Sequence, residues 1–189
     1  GIGNIGTRLA RISGTGFGCK VLAYDPYLTA QEINQRAAQP VGFDELLQSA
    51  DIVSVHTPLT TQTHNLFDSD AFTHMKKGAI FVNAARGSIH DEDALADALA
   101  SGHLGGAGLD VWDSEPPAKE HRLLHLPNVV ATPHIAGYTS DSLANMAEYA
   151  ATQLLQIFAG EPPPRPVNPE VLPRFQSRFA QILGEPSKT

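Results

Sequence analysis

Hydrophobic residues along the chain follow two spacings, one typical of buried strands and one typical of helices. Short apolar runs that end in polar or glycine-containing turns predict strands at 20–24, 51–56, 79–82, 106–109 and 129–131. Between these runs, apolar residues recur every three or four positions, which predicts helices at 5–13, 43–50, 69–75, 91–100 and 140–159. Strands that alternate with helices are typical of a parallel sheet with helices on both faces. The pattern therefore predicts an α/β fold with a doubly wound parallel sheet.

A glycine-rich stretch, Gly1-Ile2-Gly3-Asn4-Ile5-Gly6, stands at the start of the first predicted helix. The spacing G-x-G-x-x-G lets a backbone turn tightly and approach a pyrophosphate, with a helix N-terminus behind it. Glycine-rich turns are common, so the stretch alone is weak evidence. In a doubly wound sheet, a central strand precedes such a loop. We therefore expect the native chain to extend upstream by a strand, between strands 20–24 and 51–56, and by a substrate domain.

The carboxylate of Asp25 follows the strand at 20–24 and stands about 19 residues after Gly6, close to the spacing of dinucleotide-binding folds. There, such a carboxylate binds the adenosine ribose hydroxyls. A turn-forming aspartate before Pro26 is the alternative interpretation. No arginine follows Asp25 closely, and a carboxylate repels a 2′-phosphate. The sequence therefore favours NAD over NADP.

Other polar residues also follow predicted strands, where an open parallel sheet binds its ligands. They are His56, Thr57, the segment 83–86, Asp110 and His134. Each has a structural interpretation when taken singly, such as a helix cap or a surface cation. Together they predict a ligand site at one edge of the sheet.

Three residues have the chemistry for a reaction at this edge: Arg86, Glu115 and His134. A guanidinium can bind a carboxylate through two parallel hydrogen bonds. A histidine can pass a proton to or from a carbonyl oxygen near neutral pH, and a nearby carboxylate stabilises the imidazolium. These groups are the ones needed to reduce a 2-keto acid with a hydride donor.

Several motifs resemble, in order and spacing, the NAD domain of the D-2-hydroxyacid dehydrogenase family, whose members include D-3-phosphoglycerate dehydrogenase and glyoxylate/hydroxypyruvate reductase. The motifs are Gly1 to Gly6, Tyr24-Asp25-Pro26, Val55-His56-Thr57-Pro58-Leu59, Asn83-Ala84-Ala85-Arg86-Gly87, the stretch 108–116 and Pro133-His134-Ile135-Ala136-Gly137. The resemblance covers residues 1 to about 169. It implies a Rossmann fold that here lacks its first strand and the substrate domain. It also implies an NAD-binding domain at 1–159, followed at 160–189 by a linker and a segment that returns to the substrate domain.

The same resemblance implies roles for individual residues. Arg86 would bind the substrate carboxylate and carbonyl, and Glu115 and His134 would form an acid–base pair in which His134 protonates the carbonyl oxygen. The implied cofactor contacts are Gly1, Gly3, Asn4, Ile5, Gly6, Asp25, Thr57, Ala84, Ala85, Arg86, Asp110, His134 and Gly137. The family usually has an aliphatic residue where this chain has His90, and we interpret His90 as a helix-entry histidine near two acids rather than as a substrate ligand.

The leading hypothesis is an NAD-dependent oxidoreductase that interconverts a 2-keto acid and a D-2-hydroxy acid, with phosphoglycerate- or hydroxypyruvate-type substrates favoured over lactate. One alternative is an NAD-sensing binding protein of the corepressor type with little turnover. Another is a methyltransferase of similar fold, in which an acidic residue also binds ribose; the helix-opening glycine loop and the Arg86, Glu115 and His134 set argue against it. The resemblance also implies a homodimer.

Composition and residue spacing argue against several kinds of partner and indicate a compartment. The net charge of -7 argues against nucleic acid, which requires a basic face. No apolar run approaches the roughly 20 residues that span a bilayer, so no membrane partner is predicted. The single cysteine, Cys19, is typical of a reducing compartment, which predicts a cytoplasmic protein. His121 and His125 stand four positions apart without a third ligand at suitable spacing, so no metal site is predicted.

Overall fold

Strands and helices alternate along residues 1–183, the part of the chain that this computed structural model describes. The strands are β1 (Leu22–Ala23), β2 (Gln39–Pro40), β3 (Ile52–Val55), β4 (Ile80–Asn83), β5 (Gly106–Leu109) and β6 (Val129–Ala131). The α-helices are α1 (Asn4–Arg11), α2 (Ala30–Gln35), α3 (Phe43–Ser49), α4 (Ser69–His74), α5 (Glu92–Ala100), α6 (Ser140–Phe158) and α7 (Leu172–Leu183). The alternation confirms the predicted α/β fold.

The main sheet has four parallel strands in the order β3-β4-β5-β6. Strands β1 and β2 form a separate parallel pair. Direct pairing of β1 with β3 would contradict the predicted intervening strand, and none is found among residues 1–183. The upstream strand and the substrate domain stay predictions.

The glycine-rich stretch lies between the ends of β1 and β3. The Gly1 nitrogen donates a hydrogen bond to the carbonyl of Tyr24, just after β1, at 2.9 Å. On the other side, a Cβ added at Gly1 would lie 2.7 Å from the carbonyl oxygen of His56, just after β3. The absence of a side chain at Gly1 thus lets the loop pass between the two strand ends and start α1 at the carboxyl edge of both.

Aromatic rings form the centre of the main hydrophobic core, between the sheet and the helices α4 and α5. The Phe81 ring is fully buried in β4, and its centroid lies 5.0 Å from the Phe67 ring and 5.2 Å from the Phe72 ring, within the range of favourable aromatic pairs. Leu95 and Leu99 of α5 are buried in the same cluster, so the apolar face predicted for this helix faces the core. A smaller cluster lies around the glycine-rich stretch and β1; its buried members are Ile2, Ala10, Ala23, Ile33 and Ala38.

Three local predictions in the first 50 residues need correction. The first helix does not end at the glycines, because the chain continues from Ile12 to Gly16 as a π-helix. The strand predicted at 20–24 is reduced to the two residues of β1, which among residues 1–183 pairs only with the equally short β2. Helix α2 was not predicted, although a capping box formed by Thr29 and Glu32 marks its start.

The chain divides into two compact units, one of residues 1–136 and one that begins at Gly137. The second unit contains α6, which starts with a capping box of Thr139 and Ser142, and α7. Helix α7 lies within the stretch 160–189 that the sequence assigned to a linker and a returning segment, and residues 184–189 lie outside the described part. Across the described residues, no helix combines the length and the apolar character needed to cross a membrane.

Candidate active site

A hydrogen bond joins the side chains of Glu115 and His134, with Glu115 Oε2 and His134 Nδ1 2.8 Å apart. The other carboxylate oxygen of Glu115 accepts a hydrogen bond from the Trp112 backbone N–H at 3.2 Å. Hydrogen bonding to His134 is the main cause that lowers the pKa of Glu115, and the Trp112 N–H and the charge of Arg86 act in the same direction. Both side chains remain open to solvent. The pair is therefore an ionised carboxylate that orients an accessible imidazole.

Asp110 holds the loop that carries His134. It follows β5 directly, and its Oδ1 and Oδ2 each accept a backbone N–H at 2.8 Å, from Ile135 and Ala136 respectively. The Thr132 hydroxyl also donates to it. Burial raises the pKa of Asp110, but these three hydrogen bonds outweigh it, so that the pKa lies below its usual value. His134 itself has a φ of 56°, a left-handed conformation that a non-glycine residue adopts only when its surroundings impose it.

A second loop, after β4, carries Arg86. The fully buried side chain of Asn83 folds this loop: its Oδ1 accepts the Ala85 N–H at 2.9 Å, and its Nδ2 donates to the Arg86 carbonyl at 2.8 Å. Gly87 lets this loop pack against the loop after β5, because an added Cβ would lie 2.1 Å from the Trp112 carbonyl carbon. The packing brings the Arg86 charge close enough to Glu115 to lower the pKa of that carboxyl.

A cavity of about 380 Å³ opens at the carboxyl ends of β1 and β3. Its lining includes Gly1, Gly3, Asp25 and Thr57, all four of which were predicted to contact the cofactor. Asp25 accepts hydrogen bonds from the Ile2 N–H at 3.0 Å and from the Tyr27 N–H at 3.1 Å, so it ties the glycine-rich stretch to the turn after β1.

Two observations test whether a dinucleotide fits this cavity. The Thr57 hydroxyl is buried and has no hydrogen-bond partner within the described part of the chain, so a polar group is needed there. An added Cβ at Gly6 would lie 2.6 Å from the Gly1 carbonyl oxygen, whereas one at Gly3 would meet no atom within 4 Å. The loop is therefore tightly closed on its inner side and open at Gly3, as the backbone approach of a pyrophosphate requires. The residues fit the cofactor.

The remaining predicted cofactor residues lie at the same strand ends or in the second unit. Asn4 and Ile5 begin α1 on the glycine-rich loop, and Ala84 and Ala85 lie in the loop after β4. Gly137 belongs to the second unit, where its carbonyl accepts a hydrogen bond from Ser142.

His90 precedes α5, as predicted, and the charges of Asp91 and Glu92 act on it. Its ring is fully buried and contacts Asn83. The sequence placed Asn83 among the polar strand-end residues but gave it no role of its own, because its contacts with the Arg86 loop and with His90 arise only in the folded chain.

A glycine-rich loop that opens a helix at the carboxyl edge of a parallel sheet, with a strand-end carboxylate hydrogen-bonded to it, defines a dinucleotide-binding domain. Residues 1–136 match the family model described as D-isomer specific 2-hydroxyacid dehydrogenase, NAD binding domain. The chain belongs to this family. The match confirms the predicted family and NAD as its cofactor.

Named relatives agree with this assignment. The chain is 39% identical to D-3-phosphoglycerate dehydrogenase of Bacillus subtilis over 96% of its own length and 34% of that protein. It is 43% identical to glyoxylate/hydroxypyruvate reductase B of Klebsiella pneumoniae, over 90% of this chain and 53% of the reductase. The crystal structure of D-lactate dehydrogenase with NAD+ from Lactobacillus jensenii superposes with a TM-score of 0.81 at 36% identity, over 88% of this chain and 53% of that one. The chain thus spans a third to a half of the length of these relatives.

Proposed function

We propose that this chain supplies the cofactor site and the acid–base site of an oxidoreductase that interconverts a 2-keto acid and a D-2-hydroxy acid with NAD(H). The observation that carries the proposal is the hydrogen bond between Glu115 and His134, with Arg86 close enough to act on Glu115. One edge of the sheet thus presents a proton donor and a carboxylate-binding cation together. The names of the relatives, which are dehydrogenases and reductases of such acids, support it.

Each side chain has one role in the reaction. A bound nicotinamide supplies the hydride that reaches the carbonyl carbon. Arg86 binds the substrate carboxylate and carbonyl through its guanidinium. Because Nδ1 of His134 is hydrogen-bonded to Glu115, its Nε2 is the atom that gives a proton to the carbonyl oxygen during reduction and takes it back during oxidation. Glu115 stays ionised and stabilises the imidazolium.

The cofactor side of the proposal rests on the loop and on Asp25. The N–H groups at the start of α1 would face the pyrophosphate. Each oxygen of Asp25 accepts one backbone N–H and has a further lone pair for a ribose hydroxyl. Its negative charge disfavours a 2′-phosphate, which supports NAD over NADP. Thr57 would donate its unpartnered hydroxyl to the cofactor.

The first prediction concerns His134. Replacement of His134 by alanine should lower the rate by about 10² to 10⁴, the usual contribution of general acid–base catalysis, and leave NADH affinity nearly unchanged. The measurement follows NADH oxidation by the full-length protein with glyoxylate, hydroxypyruvate, pyruvate and phosphohydroxypyruvate, and the affinity is taken from NADH titration. His74→Ala, which removes an exposed histidine of α4, is the matched control and should retain the wild-type rate.

Two results would contradict the proposal. Equal turnover by the wild type and His134→Ala would exclude the acid–base role. Absence of turnover on all four keto acids, combined with an NADH-dependent change of oligomeric state, would instead favour the NAD-sensing corepressor type of protein. Within the proposal, the preference for hydroxypyruvate- or phosphoglycerate-type substrates, the homodimer and the cytoplasmic location stay predictions.

A further inference from the structure

A histidine with no role in the proposed chemistry lies buried behind the loop that carries Arg86. His90 has no exposed surface, and its ring centroid lies 5.5 Å from that of Phe81 in β4. His90 follows the short 3₁₀ turn Gly87–Ile89, and that turn follows Arg86 directly. Its Nδ1 lies 3.0 Å from Nδ2 of Asn83, the side chain that folds the Arg86 loop.

The contacts of Asn83 determine the direction of this hydrogen bond. Its oxygen accepts the Ala85 N–H at 2.9 Å, and its nitrogen donates to the Arg86 carbonyl at 2.8 Å, which assigns the two ends of the amide. The nitrogen faces His90, so His90 Nδ1 accepts the second amide hydrogen. A neutral His90 therefore carries its proton on Nε2.

The Nε2 atom of His90 is buried without a hydrogen-bond partner among residues 1–183. An unsatisfied buried donor costs free energy, so the ring is not the best choice for core stability at this position. An aliphatic side chain at this position would avoid that cost. What the imidazole provides and an aliphatic side chain lacks is the acceptor for Asn83.

We propose that His90 is a positioning residue that accepts a hydrogen bond from Asn83 and thereby holds the loop of Arg86 in the conformation that binds the substrate carboxylate. The inference rests on the proposed function of Arg86. Of the four groups in this network, His90 is the one that can gain a proton as the pH falls, which changes its hydrogen-bonding capacity. A proton on Nδ1 would turn the acceptor into a donor that faces the donor of Asn83, and the hydrogen bond would be lost.

The surroundings keep His90 neutral under ordinary conditions. Burial of the ring, which lies beside Phe81 of β4, is the main cause that lowers the pKa of His90. The carboxylates of Glu92 and Asp91 in and before α5, that of Asp113 after β5, and the backbone of Gly87 oppose this effect without reversing it. In the wild type, the Arg86 loop should therefore keep its conformation at pH values above the pKa of His90 and lose it at pH values below that pKa.

Two substitutions separate an acceptor role from a packing role. His90→Leu keeps an apolar side chain and removes the acceptor, whereas His90→Gln keeps an acceptor oxygen and removes the titration. In His90→Leu we expect the KM for the keto acid to rise about 3- to 10-fold, the equivalent of one hydrogen bond, with little change in kcat or in the KM for NADH. In His90→Gln the KM at pH 7 should return towards the wild-type value.

The pH profile provides the readout that a purely structural role would not change. As the pH falls below about 6.5 towards the lowered pKa of His90, the KM for the keto acid should rise more steeply in the wild type than in His90→Gln. Nitrogen NMR of the histidine rings should show His90 protonated on Nε2. If His90→Leu does not fold, the pH profiles of KM in the wild type and His90→Gln, together with the tautomer found by NMR, still test the acceptor role of His90.

Three outcomes would overturn the inference: an Nδ1–H tautomer of His90, a His90→Gln variant as impaired as His90→Leu, or equal pH profiles of KM in the wild type and His90→Gln. Each of them leaves turnover by the wild type intact, so the failure of this inference is distinct from that of the proposed function. Absence of wild-type turnover is the result that contradicts the proposed function, and with it the basis of the inference.

Discussion

At the scale of single residues, the site is built from side chains that are oriented by backbone N–H groups. One carboxylate oxygen of Glu115 accepts a hydrogen bond from His134, and the other accepts one from the Trp112 N–H. Hydrogen bonds, rather than burial, therefore fix the position of this side chain. Arg86 is different, because among residues 1–183 its guanidinium donates only to the adjacent Ala85 carbonyl and remains exposed. Its remaining donors are available to a ligand. This combination suits a site in which the proton donor is preset and the cation binds the incoming carboxylate.

The residue-scale prediction therefore concerns Arg86→Lys. Lysine keeps the charge but loses the planar pair of donors, so the KM for the keto acid should rise about 10- to 100-fold, as expected for the loss of one charge-assisted hydrogen bond. The KM for NADH should change little. Steady-state kinetics with both substrates varied provides the measurement. Arg122→Lys, an exposed arginine paired with Asp93 and Asp97, is the control, and equal KM values in both variants would contradict the role of Arg86.

At the scale of elements, the strands β1, β4 and β5 of the first unit each lead into a polar side chain that folds the loop next to it. Asp25 after β1 binds the Ile2 N–H, Asn83 at the end of β4 binds the Ala85 N–H, and Asp110 after β5 binds the N–H groups of Ile135 and Ala136. Each of these strands is hydrogen-bonded to a neighbouring strand. The side-chain hydrogen bonds fix the loops to the strand ends, which keeps the site preorganised.

The element-scale prediction concerns the glycine-rich loop. Gly3 has a φ of -68°, and an added Cβ would meet no atom within 4 Å, so Gly3→Ala should leave the melting temperature unchanged or slightly higher. The same Cβ would occupy the open side of the loop, so NADH affinity should fall about tenfold or more. NADH titration and thermal unfolding measure the two effects. Gly16→Ala, with equally open surroundings in the π-helix, should bind NADH like the wild type; an unchanged affinity in Gly3→Ala would exclude this placement of the cofactor.

At the scale of the whole molecule, two buried ionisable groups, His90 and Asp110, make the free energy of unfolding depend on pH, each over its own pH range or window. His90 has a lowered pKa, so between its native value and about 6.5 the unfolded chain binds more protons than the native one. Its contribution to stability is complete above about pH 6.5 and is lost as the pH falls through that range. Asp110, also with a lowered pKa, contributes above about pH 3.8 and loses its contribution only at more acidic pH.

The whole-molecule prediction follows from these windows. His90 should lower the free energy of unfolding of the wild type by up to about 1.4 kcal/mol per pH unit as the pH decreases below about 6.5, the limit for one proton. His90→Leu should remove this share of the slope and keep the acidic window, while His56, whose pKa burial also lowers, keeps its own share in both proteins. Urea unfolding followed by the fluorescence of Trp112, the single and buried tryptophan, measures both. His74→Ala is the control with wild-type pH dependence. Identical slopes in the wild type and His90→Leu would show that His90 is not a buried neutral group.

The sequence predicted most of the main sheet and its helices because their signals are local. The strands β3 to β6 and the helices α3 to α6 follow from apolar spacing and from the turn residues between them. The predictions failed where neighbouring elements decide the outcome. Among residues 1–183, strand β1 pairs with the two-residue strand β2 alone, and α1 continues as a π-helix into Gly16 although glycines usually end helices. Helix α2 depends on a six-residue segment too short for a clear period.

By itself, the sequence predicted which residues carry the chemistry of this protein: the glycine-rich loop, Asp25, Arg86, Glu115 and His134. Residue identity and the position of a residue at a strand end are local properties, and parallel strands place their carboxyl ends on one edge. Only the tertiary structure decided how these residues are held. The orientation of Asn83, the burial of His90 and the hydrogen bonds of Asp110 depend on contacts between segments far apart in the chain. Because burial and hydrogen-bond direction arise from such contacts, periodicity along the sequence contains no record of them.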